Sequence, residues 1–374
     1  MFVLPAALPP GAPPSARLLA WALAATIAEN FGATLLRRPL EPGANASVPW
    51  EALLGLDRPL DGEAAAEEAL QRRAVPLPGW RGVRYDEDAL RRGEWWALFN
   101  APANCGAVFE APQEARVWDA LGLSKAAAAA KFARARAAGA DAPLLWAALS
   151  APGSVHIAVH ARRVRVGSGD AAGEAAAAGA EAAHDAWWDT PHWQASWRPL
   201  PQPPGGWLYC PTPDAVLARV VQDAVLPAFA AADPAQALRL HVHVFTQLLE
   251  GERGEEALPA LAALGAAPQV AGVNFYGPAQ ADGWATLLHL ASADVLVGSA
   301  SQWSVWAAHF SSVPVVLAQP DTSRARVCGE GQACCLATGA CPFAAQEVMA
   351  AAARRIAARE QCRGAPASGQ AAKV

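Results

Sequence analysis

Two short segments carry side chains suited to gripping a phosphate, and they lie far apart in the sequence. The first is His160-Ala161-Arg162-Arg163, directly after a run in which Val155, Ile157 and Val159 alternate with His156, Ala158 and His160. A guanidinium at a strand end offers a pyrophosphate two parallel N–H donors. It offsets the charge that grows as a nucleoside diphosphate departs. The same residues also read as a solvated basic turn continued by Arg165. The second segment is Gly298-Ser299-Ala300-Ser301-Gln302-Trp303-Ser304, between an apolar run and a helical one. Small residues there expose backbone N–H groups at a helix N-terminus, which favours an anion. Ser301 as N-cap, with Ser304 at the third helical position, accounts for the same serines without a ligand.

These segments need strands to position them. The alternation over Ser154 to His160 has the strand period, as does Arg239 to Phe245, where Leu240, Val242 and Val244 oppose His241, His243 and Phe245. Val270 to Phe275 reads as a third strand, Asp294 to Val297 as a buried one and Val313 to Ala318 as another. Helices are expected at Asp214 to Ala230, Trp284 to Ala291, Gln302 to Phe310 and Gln346 to Arg359. Strands alternating with helices imply a parallel sheet, in which ligands bind beyond the carboxyl ends of the strands. Upstream, a proline-rich opening (Pro5 to Pro14) leads to a helix over 15–31, with Ser15 as N-cap and Gly32 as its stop. A strand from Ala33 to Leu36 follows, ended by Arg37, Arg38 and Pro39. Alanine-rich stretches at 62–70 and 112–138 have helical propensity, 171–186 reads as a helix or an insertion, and 199–213 is a proline-rich connection. The expected organisation is an α/β chain of two domains, the first spanning 1–150 and the second 151–345, with a closing helix and tail over 346–374.

Composition narrows the class. A chain of 374 residues with 53% hydrophobic and 17% charged residues is long and apolar enough for two folded domains. A net charge of −5 with no basic stripe argues against nucleic acid as a partner. The seven cysteines (Cys105, Cys210, Cys328, Cys334, Cys335, Cys341, Cys362) include no CxxC pair, so disulfides of an oxidising lumen suit them better than zinc. Asn45-Ala46-Ser47 is a glycosylation sequon consistent with that setting. No basic segment followed by an apolar run opens the sequence, so a luminal protein would need a signal or anchor that these residues do not display.

Taken in order, the segments resemble the fucosyltransferases of the GT-B type. These carry a histidine-x-arginine-arginine motif at the start of the nucleotide-binding domain, matched by His160 to Arg163. Downstream they have an alanine-aspartate-aliphatic strand entering a serine-rich turn, matched by Ala293-Asp294-Val295-Leu296-Val297 and Gly298 to Ser304. His241 to Gln247 is similar to the family's intervening strand and phenylalanine-serine/threonine turn, and the closest likeness is to divergent plant and algal members. The resemblance implies two Rossmann-like domains with a nucleotide-sugar cleft between them, 1–150 on the acceptor side and 151–345 binding the nucleotide-sugar. It implies inverting transfer from GDP-fucose to a glycan or glycoprotein in the Golgi or another secretory lumen, the cytoplasm being the alternative, without an obligatory metal or cofactor. It implies that Arg162 is the catalytic group on the β-phosphate, with Arg163 beside it and Ser299, Ser301 and Gln302 near the phosphates. His160, His241, His243, Phe245 and Asp294 would then lie toward the nucleoside, Asp294 below the phosphates in its strand.

The chain departs from the family in two places. Val164-Arg165-Val166-Gly167-Ser168 intervene before Gly169-Asp170, displacing the carboxylate that usually follows the arginines. The opening turn, Gly11-Ala12-Pro13-Pro14-Ser15, lacks the family's polar side chains other than serine. Candidates for a general base are Glu94, Asp185, Asp189 and His192. Trp187-Trp188-Asp189-Thr190-Pro191-His192-Trp193 reads either as a sugar platform or as an insertion pinned to the core. Alternative readings are a transferase of another nucleotide-sugar and an inactive carbohydrate-binding relative. A hydrolase would need a signature such as GxSxG or HExxH, and neither occurs.

Overall fold

The computed structural model describes residues 1–8, 14–36, 74–77, 94–104, 107–111, 144–162, 212–248, 251–299, 301–311, 315–319, 332–336 and 343–364. The chain divides into two compact units, Met1–Ala142 and Pro143–Val374. Trp146, placed by the sequence reading before the boundary at residue 150, belongs to the second unit.

In the first unit β1 (Phe2–Leu4), β2 (Thr34–Leu35), β3 (Val75–Pro76) and β4 (Val108–Glu110) form a parallel sheet in the order β2-β1-β4-β3. Helix α1 (Pro14–Phe31) connects β1 to β2. It begins one residue before Ser15, which therefore lies within the first turn and does not cap it. Proline suits that first position because its φ is already helical and its missing N–H has no intrahelical partner to lose. Gly32, at φ 63, ends the helix, with the Ala33 N–H returning to the Ala28 carbonyl at 2.9 Å. Phe31 stacks on Phe99 of α2 (Glu94–Asn100) with ring centroids 4.8 Å apart, and Phe99 meets Phe109 of β4 at 5.2 Å.

The second unit holds a six-stranded parallel sheet in the order β10-β9-β8-β5-β6-β7. Its strands are β5 (Ser154–Ala161), β6 (Arg239–Thr246), β7 (Val270–Tyr276), β8 (Val295–Gly298), β9 (Val315–Gln319) and β10 (Gln332–Leu336). The chain starts in the middle, runs outward through β6 and β7, then returns to β5's other side and runs outward through β8, β9 and β10. The order reverses at β5, the place where open parallel sheets take their ligands. β10 contains Cys334 and Cys335, in a segment that had suggested only disulfide chemistry. The strands and helices expected from Ser154 to His160 and from Asp214 onward are present, with ends shifted by a few residues; the stretches 171–186 and 199–211 lie outside the described residues.

Alternation sorts the two faces. Val155, Ile157, Val159 and Ala161 of β5 and Leu240, Val242 and Val244 of β6 form one core with α3 (Asp214–Ala232) and α8 (Phe343–Gly364), through Leu217, Val221, Met349 and Ala353. α3 is long and apolar enough to cross a membrane, and its apolarity is used here on the sheet. Its middle turn, Val221–Val225, is a π-helix. Pro227, just after it, has no N–H to return to the preceding turn, which suits a break in the regular ladder there. The opposite face carries the histidines and meets α6 (Gly283–Ser292) and α7 (Gln302–Phe310). Two short helices, α4 (Gly254–Ala257) and α5 (Pro259–Ala262), link β6 to β7.

At Gly254 a Cβ would fall 2.3 Å from Phe275 Cβ and Cγ. Gly254→Ala is therefore expected to lower unfolding free energy by about 1–3 kcal/mol, through overpacking. Urea denaturation would measure it, and an unchanged midpoint would contradict the close approach.

Candidate functional site

β5 is buried along all eight residues, so His156 and His160 are largely withdrawn from solvent. Each must find a protein partner, and those partners tie the site together. His160 Nδ1 lies 2.9 Å from Ser304 Oγ in the first turn of α7, and the His160 carbonyl accepts the Ser299 N–H at 3.1 Å. The two phosphate-suited segments of the sequence are thus neighbours: β5 pairs with β8 in register, His160 opposite Gly298. Arg162 follows β5 at its carboxyl end, half-buried. Burial, followed by the Arg162 charge, pushes the His160 pKa down to about 3.

Ser301 is the N-cap of α7, its Oγ accepting the Trp303 N–H at 3.2 Å. Gln302 is that helix's first residue. Ser299 is only 1% exposed and its Oγ has no hydrogen-bond partner among the described residues; Thr246, at the carboxyl end of β6 opposite Ala161, has a buried Oγ1 in the same condition. Among the described residues, the carboxyl ends of adjacent strands at the reversal point thus carry Arg162 after β5, Thr246 on β6 and Ser299 after β8. Thr246 was no candidate in the sequence reading. The phenylalanine-threonine turn quoted there was the available signal.

The residues expected toward a nucleoside do not share one edge. Asp294 precedes β8 and so lies at the amino end of the sheet, away from the phosphate-suited edge. Its Oδ2 accepts the His156 N–H at 2.9 Å and its Oδ1 pairs with Arg359 at 2.7 Å. Its carboxylate there satisfies backbone at the start of β5. His243 is fully buried in mid-strand, stacked on Trp146 at 4.5 Å, and His241 sits nearer the amino end, 5.5 Å from the His156 ring. Phe245 is buried one residue before the carboxyl end of β6, stacked 5.0 Å from Tyr276. Arg163, Asp185, Asp189, His192 and the tryptophan cluster 187–193 lie outside the described residues. Glu94 is exposed at the start of α2, in the first unit.

The histidine face holds a buried polar cluster that no motif announced. His156 Nδ1 is 3.0 Å from His243 Nε2, His243 Nδ1 is 3.3 Å from the Tyr276 hydroxyl, and His156 Nε2 is 3.3 Å from Ser150 Oγ. His289 of α6 accepts the Leu145 N–H at Nε2 and donates from Nδ1 to the Ala285 carbonyl, which fixes its tautomer. Burial, followed by the neighbouring His156, His241 and His289, pushes the His243 pKa down to about 3, and burial lowers His156 as well. Among the described residues no group of three or more His, Cys, Asp or Glu could hold a metal ion. No protein-family model, curated protein or solved structure matches this chain.

Two outcomes follow from these contacts. Folding lowers the histidine pKa values from 6.5 to about 3 at His160 and His243, so the unfolded chain takes up protons first. Their contribution to stability is complete above about pH 6.5 and lost as pH falls toward 3. The slope approaches roughly 1.4 kcal/mol per pH unit for each histidine. Urea titrations across this range measure it, and a flat profile would contradict neutral burial. Asp294→Ala leaves the His156 N–H unpaired and is expected to cost about 1–3 kcal/mol. Urea denaturation measures the loss, and an unchanged midpoint would contradict the contact.

Proposed function

We propose that the second unit binds the diphosphate of a nucleotide-sugar at the carboxyl ends of β5, β6 and β8. In this reading the protein is a glycosyltransferase of GT-B type, built of two Rossmann-like domains, that transfers fucose from GDP-fucose to a glycan or glycoprotein with inversion. The observation that carries it is the place of Arg162 and of two buried hydroxyls, unpartnered among the described residues, at the carboxyl ends of adjacent strands where the strand order reverses. A buried hydroxyl without a partner costs about 1–3 kcal/mol, which a phosphate oxygen would recover by accepting its proton. Arg162 supplies the charge-assisted donors, and the α7 N-terminus adds a favourable dipole. The resemblance of the two segments to the fucosyltransferases supplies the donor identity.

Transfer of this kind asks the protein mainly to stabilise the departing diphosphate. Arg162 would meet the charge that develops on the β-phosphate oxygens, and Ser299 and Thr246 would donate to oxygens beside it. His160, neutral and tied to Ser304, would hold the β8–α7 turn against β5 without bringing a competing charge.

Calorimetric titration with GDP, UDP and CDP tests the reading. GDP should bind tightest, and Arg162→Ala should weaken it by roughly 10- to 100-fold, the value of hydrogen bonds to a charged group. Unchanged affinity in that variant would remove the site. Ser299→Ala gives an independent sign: about 1 kcal/mol of added stability in the free protein, from deleting an orphaned hydroxyl, together with weaker GDP binding. A free protein that loses stability on that change would show that the hydroxyl already has a partner.

A further inference from the structure

The polar cluster on the histidine face is a hydrogen-bonded chain, and its direction follows from its contacts. A carbonyl can only accept, so the Ser150 hydroxyl, 3.2 Å from the Trp146 carbonyl oxygen, is the donor there. Ser150 Oγ then accepts from His156 Nε2–H. A neutral imidazole carries one proton, so His156 Nδ1 is bare and accepts from His243 Nε2–H. His243 Nδ1 is bare in turn and accepts the Tyr276 hydroxyl. Every proton points from Tyr276 toward Ser150, and the burial of both rings keeps them neutral. With its proton committed inward, the Tyr276 oxygen has only lone pairs left to offer. Tyr276 is the last residue of β7, half-buried, on the same strand edge as Arg162; Ser150, at the other end, is exposed.

A register shift puts the tyrosine there. Leu240 pairs with Val270 but His241 pairs with Gly272, so Ala271 is an extra residue in β7. Since side chains alternate with period two, this bulge exchanges the faces of everything after it. Val273 and Phe275 pack toward the α3–α8 core, while Tyr276 comes opposite Phe245 on the histidine face.

We infer that Tyr276, His243, His156 and Ser150 form a proton relay whose outer oxygen, on Tyr276, takes the proton from a hydroxyl of the bound substrate. The role of that proton rests on the transferase reading above. As the new carbon–oxygen bond forms, the glycosyl–phosphate bond breaks and its electron pair leaves with the diphosphate. The attacking hydroxyl gives its proton to Tyr276 Oη, and the phenolic proton passes to His243 Nδ1. His243 Nε2–H passes to His156 Nδ1 and His156 Nε2–H to Ser150 Oγ, and the exposed serine hydroxyl, turning from the Trp146 carbonyl, releases its proton to solvent. No group is left charged, and one proton enters as one leaves. Tyr276 is the catalytic member, touching substrate; the two histidines act through it.

Ring-nitrogen NMR of the intact chain near neutral pH decides the direction whatever the substrate. Protonation at Nε2 of both His156 and His243 is expected, and an Nδ1–H tautomer on either would overturn the relay. Hydrolysis of GDP-fucose, with water as the attacking hydroxyl, tests the chemistry. Tyr276→Phe, which keeps the ring, should lower kcat by about 100-fold or more, the usual weight of general-base catalysis, and leave GDP affinity unchanged. An unaltered kcat would overturn the role of Tyr276. The dependence of kcat on deuterium content should be curved in the intact chain and linear in Ser150→Ala; a linear dependence in the intact chain would overturn concerted transfer. If the intact chain binds no GDP, the nucleotide reading fails by itself, and the tautomers still decide the relay.

Discussion

A single constraint organises the second unit: β5 is buried from end to end and carries two imidazoles. Neither can be left without hydrogen bonds at an acceptable cost. His160 is satisfied by Ser304, which fixes the first turn of α7 against the central strand and brings the β8–α7 turn beside Arg162. His156 is satisfied by Ser150 and His243, which ties the segment before the sheet to β6 and through it to β7. The polar requirement of one strand thus draws together four elements that hydrophobic burial alone would leave free to slide. The opposite face shows the contrast. There Val155, Ile157 and Val159 meet α3 and α8 through apolar contacts, which fill space without dictating direction.

Much of this fold could be read from the chain because its central strands are regular. β5 and β6 alternate strictly, and a strict alternation announces both a strand and its two faces. α7 was legible to the residue, from Gln302 to Phe310, because Ser301 has the chemistry of a cap. Three short strands of the first unit were not, although the two-residue β2 was. β1 is three residues long and runs into prolines, and β3 and β4 offer two and three residues, too few to show a period. β10 was hidden by its cysteines, whose chemistry drew the eye from the extended backbone beneath.

The site divides in the same way. Arg162, Ser299 and Ser301 were visible because they sit just beyond strand ends, where chain order and spacing convert directly into position. Asp294 stands one residue before β8, at the amino end of the sheet, where its carboxylate serves the backbone of β5. Trp146 and Tyr276 gave no signal. Trp146 acts from outside the sheet by stacking on rings that are distant in sequence. Tyr276 owes its face to a bulge, and an extra residue in a strand has no sequence signature unless the partner strand is known.

That bulge has a second effect, on how the molecule meets its neighbours. β7 closes one side of the sheet among the described residues, and its sequence, Val270-Ala271-Gly272-Val273-Asn274-Phe275-Tyr276, has no charge and no proline. A straight border of that composition would welcome another extended chain. Doubling the backbone at Ala271 breaks the even spacing of donors and acceptors that an incoming strand must match. The irregularity that turns a phenol inward also keeps the sheet from growing.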